Sequence, residues 1–323
     1  MSINDQGEIE WVSPKRIQVE GSDSKTITIK SLGGDGLGRA TELYIRGNPT
    51  KVLQGHNVFG SDNLVSLVLD VFTQIIQPKF KLTPSISELN KIRTGDYPLS
   101  LVDINYSYDL PCRSDVNTFI RSLEFKAKTR HGRPSSRGGT LYFGKHSERW
   151  ALKFYSKGDE ITRRKGQLPP RIANQGIEAW ADSKLRAEIR LFKKELNNIG
   201  IIKASDLTVN RVPMIFSEYL ARVDMSNQIK LSDEIELAMP KRLVSTYTLW
   251  KEGHHLLNMM SPSTFKRHRK ELKDDYGINI DLHPDSIQKT NVVPMIKLLE
   301  AKPSDVPEWA CSKGLVHHSA KVA

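Results

Sequence analysis

The stretch RWALKFYSKGDE, Arg149 to Glu160, sets Tyr155 between Lys153 and Lys157 at a spacing of two. A strand repeats its faces every second residue, so this spacing gathers a phenol and two ammonium groups on one face. Trp150, Leu152 and Phe154 take the other. Two further stretches divide in the same way. In LVDINYSYD (101–109), Leu101, Asp103, Asn105, Ser107 and Asp109 oppose Val102, Ile104 and Tyr106. In 185–192, Arg186, Glu188 and Arg190 oppose Leu185, Ala187, Ile189 and Leu191. Solvation alone accounts for a polar face on a one-sided antiparallel sheet. Complementary chemistry argues for more. Asp103 and Glu188 are oxygen donors suited to a hard divalent cation. Lys157, or that cation, would lower the cost of charge on Tyr155 or on a phosphate. The set suits metal-assisted transfer of a phosphodiester to tyrosine, a weak nucleophile that needs activation. A phosphotyrosine keeps the bond energy, so a later hydroxyl can rejoin the strand.

The elements that must hold these strands follow from periodicity. KTITIKSL (25–32) and ELYIRGN (42–48) read as short strands joined by GGDGLGRA (33–40). That glycine-rich link lacks the Gly-Lys-Ser/Thr ending of a phosphate loop and reads as a hairpin connection. SDNLVSLVLDVFTQII (61–76) carries a helical stripe of Leu64, Leu67, Val68, Val71 and Ile75, with Ser61 or Asp62 as N-cap. SDVNTFIRSLEFKA (114–127) is a second helix, capped by Ser114 or Asp115. TLYFGKHSERWALKFYSK (140–157) reads as a hairpin, and SKLRAEIRLFKKELNNIG (183–200) as a strand continuing into a helix. This order predicts an α+β fold over residues 1–205: a mainly antiparallel sheet with helices on one face. Residues 206–323 are expected to form a smaller, mainly helical domain, including helical sequence over 233–260. Its clearest helix spans 261–277, begun by Ser261 or Ser263 with Pro262 and stopped by Gly277.

Forty-eight Lys and Arg against 37 Asp and Glu leave a net charge of +11, which favours a polyanionic partner. No apolar run approaches the roughly 20 residues of a spanning helix, and MSINDQGEIEW has no apolar signal core. Cys112 and Cys311 are too isolated for a disulfide framework or zinc site, so a reducing cytoplasm is expected. STFKRHRKELK (263–273) sets Lys266, Arg267, Arg269 and Lys270 on a helix after a turn, as in a helix-turn-helix recognition helix. KTRHGRPSSRGG, with Arg133 and Arg137, suits either a phosphate-tracking loop or a plain connector. The adjacent pairs His254–His255 and His317–His318 are poor metal ligands, since neighbours on a helix do not share a face. Trp250 and Trp309 read as core residues.

Taken in order, NPTKVLQGHNVFGSDNL (48–64), LVDINYSYD, WALKFYSKGDE, LRAEIRLFKKEL (185–196) and TNVVPMIKLLEAKPSDVPEWA (290–310) resemble the replication initiators of filamentous bacteriophages, the gene-two protein family. The third segment, with TLYFGK before it, is also similar to rolling-circle plasmid initiators. The resemblance implies an HUH-endonuclease-like sheet. It implies nicking of one strand of supercoiled origin DNA through a 5′-phosphotyrosine, rolling-circle synthesis, then cutting and circularisation of the displaced strand. Tyr155 and Lys157 match the family's Tyr-x-Lys motif; Asp103 and Glu188 become candidate ligands of Mg²⁺ or Mn²⁺, and Arg190 and Lys153 DNA contacts. The His-hydrophobic-His metal motif of more distant relatives is missing. His56 in QGHNVFG is then a candidate third ligand, with a turn hydrogen bond or a DNA contact as its other roles. Ala187 stands where some plasmid initiators carry a second tyrosine. Implied partners are double-stranded origin DNA, the displaced single-stranded phage DNA, host helicase and polymerase, and a further copy of the chain at the origin, in the host bacterial cytoplasm. A plasmid-type initiator and a non-catalytic origin-binding regulator are the competing readings.

Overall fold

The computed structural model describes residues 16–34, 40–127, 134–163, 168–223, 239–276 and 302–319, together with 2–3, 6, 9–11, 129, 278 and 280–281. The strands are β1 Ser2–Ile3, β2 Ile9–Trp11, β3 Arg16–Glu20, β4 Thr26–Leu32, β5 Glu42–Arg46, β6 Leu101–Asp109, β7 Ser135–Arg137, β8 Thr140–Phe143, β9 Trp150–Ser156 and β10 Lys184–Phe192. β3, β4 and β5 form a small antiparallel sheet. Val19, Ile27 and Ile29 lie on its core face, against Val52 of helix α1 (Pro49–Gln54) and Val71 of α2 (Leu64–Val71). The N-cap of α2 is Asn63, whose Oδ1 accepts from the Ser66 amide at 3.1 Å, rather than Ser61 or Asp62. A wider turn (Phe72–Ile76) and α3 (Gln77–Phe80) extend α2, and α4 (Ile86–Thr94) follows, closed by a Ser85–Glu88 capping box.

The main sheet is antiparallel, ordered β6-β10-β9-β8-β7. α5 (Arg113–Lys126) packs on its apolar face. Cys112 occupies the N-cap position of α5 without a side-chain bond to a helix amide, so the cap expected at Ser114 or Asp115 falls inside the helix. Leu152 and Phe154 of β9 are fully buried beneath this layer; each burial is worth about 2 kcal/mol. β9 ends at Ser156, where the chain turns into α6 (Lys157–Thr162), followed by α7 (Ile177–Asp182) and, after β10, α8 (Lys193–Asn198). This α+β architecture agrees with the periodicity.

Contacts cross the boundary expected at residue 205. α9 (Arg211–Ala221) packs on the sheet through Val212, Phe216 and Tyr219, with the Phe216 and Tyr106 rings edge to face at 4.7 Å. α10 (Lys241–Lys251) and α11 (Pro262–Tyr276) share a separate core of Leu243, Tyr247, Trp250 and Leu272. Residues 302–319, with the short helix α12 (Glu308–Ser312), return to the first part of the chain. Trp309 meets Phe59 edge to face at 6.0 Å, and the Ser304 amide donates to the Ser107 carbonyl on β6. None of the described helices is long and apolar enough to cross a membrane.

Candidate active site

The register of the main sheet assembles the polar face. Arg190 stands opposite Asp103, Glu188 opposite Asn105 and Lys153, and Arg186 opposite Ser107 and Tyr155. Thr140 and Tyr142 of β8 complete the row beside Tyr155 and Lys153. A pocket of about 300 Å³ lies over this face, lined by Asp103, Asn105, Lys153, Tyr155 and Glu188, with Asn57 from the loop after α1. Tyr155, Asp103 and Glu188 therefore meet, as the two-residue spacing predicts.

Tyr155 is buried, and its hydroxyl donates to Glu188 Oε2 at 3.3 Å. Burial raises its phenol well above the ordinary value, and the Glu188 charge adds to the shift. Glu188 Oε1 holds the Lys153 ammonium at 2.6 Å, which also lies over the Tyr155 ring. Asp103 accepts a bidentate pair from Arg190, both bonds 2.7 Å. Arg190 and Lys153, read from the sequence as DNA contacts, are thus the ion-pair partners of the two carboxylates in this state.

Lys157 departs from its expected place on the strand. The Ser156 hydroxyl accepts from the Asp159 amide at 3.1 Å, capping α6, and this turns Lys157 out of β9 into the first helical position. There it is wholly buried, bonded to Glu160 Oε2 at 2.5 Å and Asn57 Oδ1 at 3.0 Å. Burial, then the nearby Arg186 charge, pushes its pKa down to about 8. The helix sits close to α7: a Cβ on Gly158 would lie 3.0 Å from Asp182 Cα.

His56 takes a structural role and does not line the pocket. Gly55 ends α1 at a φ of 86°, a left-handed turn suited to glycine, and reverses the chain into the 56–59 loop. The His56 Nδ1 accepts from the Val58 amide at 3.1 Å, so Nε2 carries the hydrogen and donates to the Leu315 carbonyl at 2.9 Å. Burial lowers its pKa to about 4 and keeps it neutral. With both nitrogens used by main chain, His56 has no lone pair for a metal, which corrects the ligand expectation. The same loop delivers Asn57 instead. Gln54 braces it, donating to the Phe59 carbonyl at 3.1 Å.

Among the described residues no three of His, Cys, Asp and Glu gather as a metal cluster. The donor set still fits a small hard cation: Asp103 and Glu188 share the pocket with the amide oxygens of Asn57 and Asn105. Mg²⁺ is commonly held by one or two carboxylates, with water and substrate phosphate completing its shell. A cation would compete there with Arg190 and Lys153.

The remaining expected contacts are spread out. Arg137 lies exposed in β7, while Arg133 falls outside the described residues, as do 290–301 of the family-like segment. Lys266, Arg267, Arg269 and Lys270 are exposed on α11, where Ser261 supplies the cap by accepting from the Thr264 amide at 3.2 Å. Sequence reading passed over Asn57, Asn105, Glu160 and Arg163, all at or beside the pocket. Asn105 was detectable from its place on the Asp103 face, and Glu160 from the Ser156-x-x-Asp159 helix start.

Comparison with known proteins identifies the family. Residues 1–210 match the family model for the N-terminal part of the phage replication-associated protein, the gene-two protein, and residues 231–316 match the model for its C-terminal part. The chain is 40% identical over 309 residues to the replication-associated gene-two protein of Enterobacteria phage I2-2, covering 95% of this chain and 89% of that relative. The two family matches and this likeness assign the chain to the filamentous-phage gene-two protein family of replication initiators.

Proposed function

We propose that this replication initiator is a metal-dependent, site-specific DNA nickase and strand transferase whose nucleophile is Tyr155. The observation that carries this reading is the Tyr155 hydroxyl, which lines a polar pocket and donates to Glu188 on the face that also bears Asp103. In the forward step the Tyr155 oxygen forms a bond to the scissile phosphorus as the bond from phosphorus to the 3′-oxygen breaks. The phenol proton leaves through the Glu188 contact, and the departing oxygen takes a proton from solvent to become a 3′-hydroxyl primer. The 5′ end stays on the enzyme as a phosphotyrosine. In the return step a 3′-hydroxyl attacks that phosphorus and restores the phenol, closing the displaced strand into a circle. Asp103 and Glu188 would hold Mg²⁺ or Mn²⁺, which supplies positive charge to the phosphate oxygens when bound. Within the proposal, supercoiled origin DNA and the displaced phage strand are substrates, host helicase and polymerase are successors at the nick, and the host cytoplasm is the site of action. A further copy at the origin and the division into nicking (1–205) and DNA-binding (206–323) parts belong to the same proposal.

The test is incubation of purified protein with supercoiled origin DNA and Mg²⁺. Wild type is expected to give open circles and a protein–DNA adduct at Tyr155; Tyr155→Phe is expected to give neither. Equal nicking by both proteins would remove Tyr155 as nucleophile. Origin binding without nicking by wild type would favour a regulator.

A further inference from the structure

The neighbouring cations of the sheet's polar face are each paired with a carboxylate, Lys153 with Glu188, Lys184 with Asp109 and Arg190 with Asp103, as is Lys157 with Glu160 at the start of α6. Arg186 has none among the described residues. It is only 4% exposed. Its guanidinium donates from Nη1 to the Asn105 amide oxygen and from Nη2 to the Val58 carbonyl at 2.5 Å, both neutral acceptors. Nε is buried with no hydrogen-bond partner. A buried charge held without an opposite charge is costly, and such a position persists where something else compensates it.

Arg186 of β10 stands directly opposite Tyr155 of β9. It does not line the pocket that holds Tyr155, but the side chain it grips, Asn105, does. We infer that Arg186 is a positioning residue for the tyrosine reaction. Its uncompensated positive charge stabilises the negative charge that builds on the Tyr155 oxygen and the attached phosphate, and its hydrogen bond fixes Asn105 in the pocket wall. The charge that balances it develops only as the Tyr155 oxygen attacks the phosphate. This inference rests on the Tyr155 reading above.

The experiment is single-turnover cleavage of a saturating single-stranded oligonucleotide carrying the nick sequence, with Mg²⁺ in excess. The covalent adduct is followed by gel, the oligonucleotide Kd by fluorescence anisotropy and the melting temperature alongside. Arg186→Gln is expected to cut about 100-fold more slowly, the scale of losing one preorganised electrostatic contact. Its Kd should stay within about 2-fold of wild type, and Arg186→Lys should recover most of the rate. Ser107→Asp provides a second route, because Ser107 is the register partner of Arg186 on β6 and lies outside the Tyr155 pocket. Its carboxylate would neutralise Arg186 in place, slowing cleavage with the melting temperature kept or raised. This variant decides the matter if Arg186→Gln does not fold. Wild-type rates in Arg186→Gln or Ser107→Asp, or equal losses in rate, affinity and stability for Gln and Lys, would overturn the inference. Adduct formation that survives Tyr155→Phe would instead remove the reading beneath it.

Discussion

His56 and Lys157 both hold their neutral forms more readily than in water, and each leaves a signature in pH. For His56 the unfolded chain titrates near 6.5 and the folded chain near 4. Between these values the unfolded state binds a proton that the fold refuses. Stability is therefore full above pH 6.5 and declines as pH falls toward 4, by about 3 kcal/mol in total. His56→Gln is expected to flatten that acid limb in denaturant titrations; an unchanged limb would place the loss elsewhere. For Lys157 the unfolded value is 10.5 and the folded value about 8, so its cost to the fold is complete below pH 8 and fades between 8 and 10.5. Glu160 remains partly exposed, so Lys157→Met leaves no sealed charge behind. The variant should match or exceed the wild-type melting temperature at pH 7, with the difference narrowing by pH 10, while nicking falls. A variant less stable at pH 7 than at pH 10, relative to wild type, would contradict this. The shared face of Asp103, Glu188 and Tyr155 was legible from period alone, whereas their proposed roles needed the complementary chemistry and the family resemblance. The roles of His56 and Lys157 were not legible, because each depends on one residue of turn: Gly55 in one case, the Ser156 cap in the other.

The three strands of the polar face were read correctly up to the turn at Lys157, because a period of two is indifferent to what lies above the sheet. Short β1, β2, β3 and β7 were not read. Antiparallel pairing of β6, β10 and β9 then had to bring Asp103, Glu188 and Tyr155 together once their apolar partners faced α5. Helix starts were less legible: Asn63 and Cys112 sit one to three residues from the expected caps, since side-chain caps compete locally. The exposed basic row of α11 belongs to this scale too. If it contacts DNA, each phosphate neutralised contributes about 0.9 to the slope of log affinity against log salt. Replacing Lys266 and Arg269 by Gln should make the measured slope shallower by about 2. An unchanged slope would take α11 out of the interface.

At the scale of the molecule, what the sequence concealed was the return of residues 302–319, a contact across more than 250 positions that no local pattern announces. Leu315 is buried with Phe59, Ile161 and Ala310, and its carbonyl accepts from His56. The His317 amide donates to Gln54, while the His317 ring meets Asp70 at 2.8 Å. Leu315→Ala is expected to cost about 3 kcal/mol, and a chain ended after residue 301 should melt lower and lose nicking; a truncated chain that nicks normally would show the return to be dispensable. The order of synthesis gives this closure a temporal meaning. A ribosome makes the whole main sheet before it reaches residue 302, so a nascent chain carries the tyrosine strand while the loop bearing Asn57 still lacks its contacts from Leu315 and His317. Under the proposed tyrosine chemistry, cleavage competence would be deferred until translation has passed the segment that locks that loop, and an unfinished polypeptide would be kept from forming a covalent bond to DNA.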